Sequence, residues 1–181
     1  MAKGGLVASN DWATFAEYVS ARSAALHRAA YLIVGDVGLA QDLVQEALIR
    51  TFVAWPRLHQ AANAEAYTRR ALTTIAIDWS RRRARSAERT TDHPPDTPAP
   101  GHADRIDEHT WIGQCLRQLT VRQRVAIVLR YYEDLTEAQT AAAMGCRVGT
   151  VKSTVSTGMA RLRDLLGASG PPHESEEVLA Q

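Results

Sequence analysis

The chain has few cysteines, almost no net charge and no long apolar run. Its two cysteines, Cys115 and Cys146, stand far apart, without a CxxC pair or a His at zinc-ligand spacing. That excludes a disulfide framework and a zinc finger and leaves both as packed thiols. The 21 basic and 20 acidic residues sum to +1, so any nucleic-acid surface must come from local clustering rather than bulk charge. No apolar stretch approaches the length of a membrane span, and none follows a basic N-terminal segment. A cytoplasmic protein without membrane contact is expected. Enzyme signatures are missing too. The six histidines lack HExxH spacing, no Gly-rich loop could cradle a phosphate, and no Ser or Cys sits in a nucleophile elbow. No internal repeat is evident. Neither catalysis nor a cofactor or metal is expected.

What is present is helical. A chain of 181 residues, 45% of them hydrophobic, has room for one or two small domains with modest cores. The stretch from Leu119 to Leu166 reads as a helix-turn-helix. Thr136 can cap a short helix whose Ala138, Ala141, Ala142 and Met144 share one apolar stripe, and Gly145 ends it. A second helix starts near Val148. Val148, Val151, Val155, Met159 and Leu162 should face inward, leaving Thr150, Lys152, Ser153, Thr154, Ser156 and Thr157 outward. Short hydroxyl side chains and one Lys on a helix suit the major groove of DNA, although few positive charges are there to neutralise phosphates.

The N-terminal half shows three helical segments. From Asp11 to about Val34, Trp12, Phe15, Val19, Leu26, Ala30 and Ile33 fall on one face. Gly35 breaks this helix and Asp36 can cap the next. From Leu39 to Trp55 the series Leu39, Leu43, Val44, Ala47, Leu48, Thr51, Phe52 and Trp55 is apolar-periodic, and Pro56 ends it. Asp42, Gln45 and Glu46 lie together on its outer side, beside Ile49 and Val53. That patch reads as either a solvated face or a docking surface for a basic partner. A third helix, from Asn63 or Ala64 to about Arg85, has Tyr67, Ala71, Ile75 and Trp79 as its expected buried line. It also carries Arg69, Arg70, Arg81, Arg82, Arg83 and Arg85 against only Glu65 and Asp78. A basic helix with an aromatic near its charged end suits phosphate binding with base stacking. It equally suits a core Trp with Arg side chains favouring the helix dipole.

From Ser86 to about Asp104, Pro94, Pro95, Pro98, Pro100 and Gly101 fall among polar residues without apolar period, the pattern of a flexible linker. Ile106 to Leu119 then forms a helix with Trp111, Ile112, Cys115, Leu116 and Leu119 inward. Thr120 caps the next, where Val125, Val128, Leu129 and Tyr132 face the core. The expected architecture is all-α. It comprises two small helical domains, 10–86 and 106–167, a Pro-rich linker, 87–105, and a mobile tail, 168–181, with the helix-turn-helix in the C-terminal domain.

Together these segments resemble a bacterial RNA polymerase sigma factor of the small two-domain extracytoplasmic-function (ECF) group, over nearly the whole chain from Trp12 to Leu166. GDVGLAQDLVQEALIRTF resembles region 2.2, AYTRRALTTIAIDWSRRRAR resembles regions 2.3 and 2.4, and LTVRQRVAIVLRYYEDLTEAQTAAAMGCRVGTVKSTVSTGMARLRDLL resembles region 4. YYEDLTEAQTA followed by GCRVGTVKS is most similar to the SigE-type factors of actinobacteria. The resemblance implies a subunit that binds core RNA polymerase and directs promoter recognition. Asp42, Gln45, Glu46 and Ile49 would dock on the polymerase, at the β′ clamp helices, with the β subunit also in contact with the factor. Asn63, Arg69, Arg70, Asp78, Trp79 and Arg82 would face the minus-ten promoter element. Arg147, Thr150, Lys152, Ser153, Ser156 and Thr157 would read the minus-thirty-five element. Such factors are often held inactive by an anti-sigma factor clamped between the domains, and the linker would permit that here.

This chain also departs from the family pattern. Thr74 stands where many members have Asn, and Thr154 and Thr157 where many have Arg, so free DNA should bind weakly. The helix-turn-helix alone also resembles the LuxR-type output domain, and the competing reading is a LuxR-like regulator acting without replacing sigma. Such a protein should carry a receiver or ligand-binding domain, whereas this N-terminal half is a basic three-helix unit.

Overall fold

The computed structural model describes residues 14–58, 61–89 and 111–168, which form seven α-helices, a 3-10 turn, a π-helical turn and no strand. They build two small helical units, the C-terminal one containing a helix-turn-helix.

Helix α1 (Phe15–Val34) starts at a reciprocal cap. The Thr14 hydroxyl accepts from the Glu17 N–H at 3.2 Å, and the Glu17 carboxylate accepts from the Thr14 N–H at 3.1 Å. Two otherwise orphaned donors are thereby satisfied. The helix ends at Gly35, whose φ of 75° suits a residue without a Cβ. Asp36 caps α2 (Val37–Ala54) by accepting from the Leu39 N–H at 2.7 Å. A 3-10 turn, Trp55–Arg57, follows at Pro56. Helix α3 (Ala61–Arg89) runs four residues beyond its expected end at Arg85.

Ile33, Leu43, Val44 and Ile75 form the buried seam of these three helices. At one end lies a closed hydroxyl chain. Tyr18 donates to Thr68 at 2.7 Å, Thr68 lies 2.9 Å from Thr51, and both threonines donate back to their own helices, at Ala64 and Ala47. Burial pushes the Tyr18 phenol above its ordinary range. The folded chain therefore holds this proton above pH 10, where the unfolded chain releases it. The resulting stability is fully present below pH 10 and is lost as pH rises through the folded-state value. Tyr18→Phe should lower stability by about 1 kcal/mol at neutral pH and remove part of the alkaline decline. Urea unfolding at pH 7 and above pH 10 checks both effects.

In the C-terminal unit, α4 (Trp111–Arg117) leads to Thr120, which caps α5 (Val121–Ile127) in a reciprocal box with Gln123. The π turn, Val128–Tyr132, follows directly. Thr136 and Gln139 form the same kind of box at the start of α6 (Glu137–Met144). Gly145, at φ 61°, turns the chain into α7 (Val148–Ala168).

The two units share one hydrophobic core. Ile33, Leu43, Leu72 and Ile75 from the first join Val125, Leu129, Met144 and Val151 from the second. Helix α3 lies against α6 and α5, and α1 against α5. At this seam Arg124 is 8% exposed and its Nε has no partner. Burial, and then the neighbouring Arg117, depress its proton affinity.

Several periodic expectations shift. Tyr67, expected on the buried line of α3, is 38% exposed, because Ala64, Thr68, Ala71, Leu72 and Ile75 fill that line instead. Phe52 is 60% exposed, because Thr51 and Ala47 take the core positions. Ala138 and Ala142 lie outward on α6, where Thr140 and Ala143 are buried. Val148 sits exposed at the first turn of α7. Tyr132 turns out to solvent because the π turn closes with an i to i+5 bond, from the Glu133 N–H to the Val128 carbonyl at 3.0 Å. Asp11 to Ala13 with Trp12, 90–110 of the linker region, the side chains of Trp111 and Ile112, and 169–181 of the tail lie outside the described residues.

Candidate functional site

Three surfaces carry the predicted site residues. The first is the outer side of α2. Asp42 and Gln45 are exposed there, and Glu46 is half-buried and held by Arg50 at 2.6 Å. Ile49, Phe52 and Val53, all more than half exposed, form an apolar ridge beside them. Next to the ridge a groove of about 500 Å³ runs between α1 and α2, lined by Phe15, His27, Val44, Leu48, Ile49 and Phe52 among others. Phe52 keeps its place because its ring lies 5.1 Å from that of Phe15, which also meets Trp55 at 5.3 Å. An apolar ridge and groove flanked by carboxylates can bury the aliphatic side of a partner helix while pairing its basic residues. Sequence periodicity placed Phe52 in the core series rather than on this ridge. A usable signal was that Gln45, Ile49 and Val53 recur every four residues, and Phe52 lies next to that stripe.

The second surface is α3. Asn63, Arg70, Arg81, Arg82, Arg83 and Arg85 are exposed, and Asp78 pairs with Arg81 at 3.6 Å. Trp79 is half-buried against the shared core. Arg69 is the exception among these arginines. Its guanidinium lies 3.1 Å from Glu133 of the other unit and 3.9 Å from Glu65, which also meets Arg22 at 3.4 Å. Thr74, the residue in place of the more usual Asn, turns its hydroxyl back onto the Arg70 carbonyl at 2.8 Å.

The third surface is the open face of α7, where Thr150, Lys152, Ser153, Ser156 and Thr157 are all exposed, with Arg147 exposed just ahead of the first turn. Lys152 reaches Glu137 of α6 at 3.5 Å, a surface pair that water and salt weaken. Ser153 donates to the Thr150 carbonyl at 3.1 Å, and Thr157 donates to the Ser153 and Thr154 carbonyls at 3.0 and 3.2 Å. With their protons turned inward, these hydroxyls present lone pairs outward and suit donors on base edges. Thr154 is only half-exposed, so it belongs to the flank of this face. Among the described residues, no group of His, Cys, Asp or Glu could hold a metal, and no helix is long and apolar enough to cross a membrane.

A helix-turn-helix with an open polar face, beside a basic three-helix unit with an exposed apolar ridge, is the architecture of a nucleic-acid-binding transcription protein. Comparison with known proteins makes this specific. Residues 19–86 match the Sigma-70 region 2 family and residues 109–162 match the Sigma-70, region 4 family. The RNA polymerase sigma-E factor of Streptomyces coelicolor is 38% identical over 154 residues, covering 85% of this chain and 86% of that protein. The ECF RNA polymerase sigma factor SigC of Mycobacterium tuberculosis is 36% identical over 152 residues, covering 80% and 76%. Among solved structures, the sigma factor RpoE of Bartonella quintana, in complex with the anti-sigma factor NepR, superposes with a TM-score of 0.67 at 25% identity, covering 86% of this chain and 98% of that one. The chain belongs to the ECF group of RNA polymerase sigma factors. The LuxR-like alternative is not favoured.

Proposed function

We propose that this sigma factor docks on core RNA polymerase through the α2 ridge and acidic patch, faces the minus-ten element with α3, and reads the minus-thirty-five element with α7. The observation that supports this best is the α2 surface. Ile49, Phe52 and Val53 stand in solvent beside Asp42 and Gln45, an arrangement a polymerase-independent DNA binder has no use for. Asp42, Gln45, Glu46 and Ile49 are assigned to docking. Asn63, Arg69, Arg70, Asp78, Trp79 and Arg82 are assigned to the minus-ten region, and Arg147, Thr150, Lys152, Ser153, Ser156 and Thr157 to the minus-thirty-five region. The chain supplies specificity and leaves nucleotide chemistry to the polymerase. Two weak DNA modules held on one enzyme pool their binding energy through high effective concentration. Capture of unpaired bases by α3 offsets the few kcal/mol that base extrusion costs. An anti-sigma factor and a cytoplasmic location are part of this reading.

Over its first three turns the open face of α7 carries Lys152 alone, with Arg147 just ahead of it and Arg161 and Arg163 only farther along the helix, so phosphate neutralisation at its N-terminal end is weak. A gel-shift titration of duplex promoter without polymerase should show no specific complex below about 1 μM, a range typical of non-specific binding at physiological salt. Adding core enzyme should produce a discrete complex at far lower concentration. Sub-micromolar specific binding by the free protein would overturn the division of labour and return the LuxR-like alternative.

A further inference from the structure

The helix-turn-helix carries very little charge. From Thr136 to Ala160 there are three charged side chains, Glu137, Arg147 and Lys152. One of the two cations is already occupied, because Lys152 Nζ lies 3.5 Å from a Glu137 carboxylate oxygen. The pair joins two helices, and the turn between them fixes its geometry. The Cys146 N–H donates to the Ala141 carbonyl at 3.0 Å, and Met144 and Val151, on either side of the turn, are both buried. Glu137 is the first residue of α6, placed there by the reciprocal cap of Thr136 and Gln139. That cap makes no use of the Glu137 carboxylate, which is left to face Lys152.

In the free chain the pair contributes little to stability, since the two side chains are 63% and 43% exposed and water screens them. Its consequence comes at the DNA surface. A phosphate oxygen in hydrogen-bond contact with Lys152 Nζ would stand within about 6.5 Å of the carboxylate, the 3.5 Å of the pair plus ~3 Å for the bond. That is inside a Debye length at physiological salt, so an approach to the backbone brings two anions together. A guanine or thymine edge in the major groove offers neutral acceptors to the same ammonium and meets no such repulsion. An amino group on a neighbouring base is attracted as well, because a carboxylate accepts from it.

We infer that Glu137 is a specificity-determining residue that acts through Lys152, steering its ammonium away from the phosphate backbone and onto a base edge. This role rests on the reading of α7 as the helix that faces the minus-thirty-five element. Non-promoter DNA, held by phosphate contacts alone, loses the Lys152 contact, and the promoter keeps it. The module is thereby a weaker DNA binder and a more selective one, with discrimination gained by making the wrong site worse.

The test uses holoenzyme reconstituted from core RNA polymerase and the full chain, as parent, Glu137→Gln, Lys152→Ala and the double variant. Fluorescence anisotropy gives the affinity for a promoter fragment that the parent transcribes, and for the same fragment with its minus-thirty-five element scrambled, across about 50 to 200 mM salt. Glu137→Gln should tighten binding of the scrambled fragment by about threefold at the low-salt end, the contribution of one phosphate contact over that range. The ratio of the two affinities should fall by a similar factor, and the salt slope for the scrambled fragment should steepen by about one unit. In the Lys152→Ala background the same substitution should change neither. A purely structural role for Glu137, at the positive end of the α6 dipole, predicts weaker binding of both fragments, with or without Lys152. That pattern, an unchanged ratio in Glu137→Gln, or an effect that survives in Lys152→Ala would overturn the role. An unchanged ratio in Lys152→Ala alone would overturn it too, and would remove the assignment of α7 to the promoter along with it.

Discussion

Ile49→Asp combined with Phe52→Asp is expected to abolish co-elution with core RNA polymerase, weakening binding by at least about 1,000-fold, or ~4 kcal/mol. Central apolar anchors of an interface each contribute about 2 kcal/mol or more when truncated, and a carboxylate in their place adds an unpaired charge to a desolvated surface. The fold should survive. Ile49 is 57% and Phe52 60% exposed, so their loss should move the unfolding midpoint by no more than about 4 °C. Phe52 is the more informative residue, because its largely exposed ring meets that of Phe15 in a tilted contact at 5.1 Å. Asp42 and Glu46 should matter less singly. Glu46 is already paired with Arg50 at 2.6 Å, and rim charges chiefly set association rate and salt dependence. Biolayer interferometry against immobilised core enzyme at two salt concentrations separates the contributions. Wild-type affinity in the double variant would show that the α2 ridge is an ordinary exposed surface.

Arg147→Ala with Lys152→Ala should leave polymerase affinity unchanged and lower run-off transcription from a promoter the holoenzyme uses by about 10- to 100-fold or more. Removing a side chain that bonds a base edge or a phosphate costs about 1–3 kcal/mol. The surface pair of Lys152 with Glu137 at 3.5 Å is weak enough that α7 should not be destabilised by its loss. Quantitative run-off assays alongside the interferometry check both halves of this expectation. Equal loss of polymerase binding would mean that α7 faces the enzyme rather than the promoter.

Much of this organisation was readable because it is local. Thr120, Asp36 and Thr136 act as caps, and Gly35 and Gly145 end helices, through bonds spanning four or five residues. A side chain three positions from its partner is visible in the sequence. The helix-turn-helix and the polar face of α7 followed from the same short-range chemistry. Periodicity failed where the backbone left the α-helical repeat or where neighbouring residues competed for one core position. Tyr132 is turned out by the π turn, Phe52 yields to Thr51, and Tyr67 yields to Ala64 and Thr68. Contacts between the units were not readable at all. Arg69 and Glu133 are separated by 64 positions, and no local pattern distinguishes Arg69 from Arg70, which is exposed. Sequence grouped Arg69 with the promoter-facing arginines. In the folded chain it is paired across the seam.

In the proposed function α2 is the polymerase-docking face and promoter specificity exists only in the complex. Mixing the purified chain with core RNA polymerase on a sizing column, followed by run-off transcription with genomic templates, tests it most directly. Co-elution in a stoichiometric complex, with discrete transcripts that core enzyme alone does not make, is the predicted result. Failure to co-elute, in a preparation shown to be free of any inhibitory partner, would contradict it.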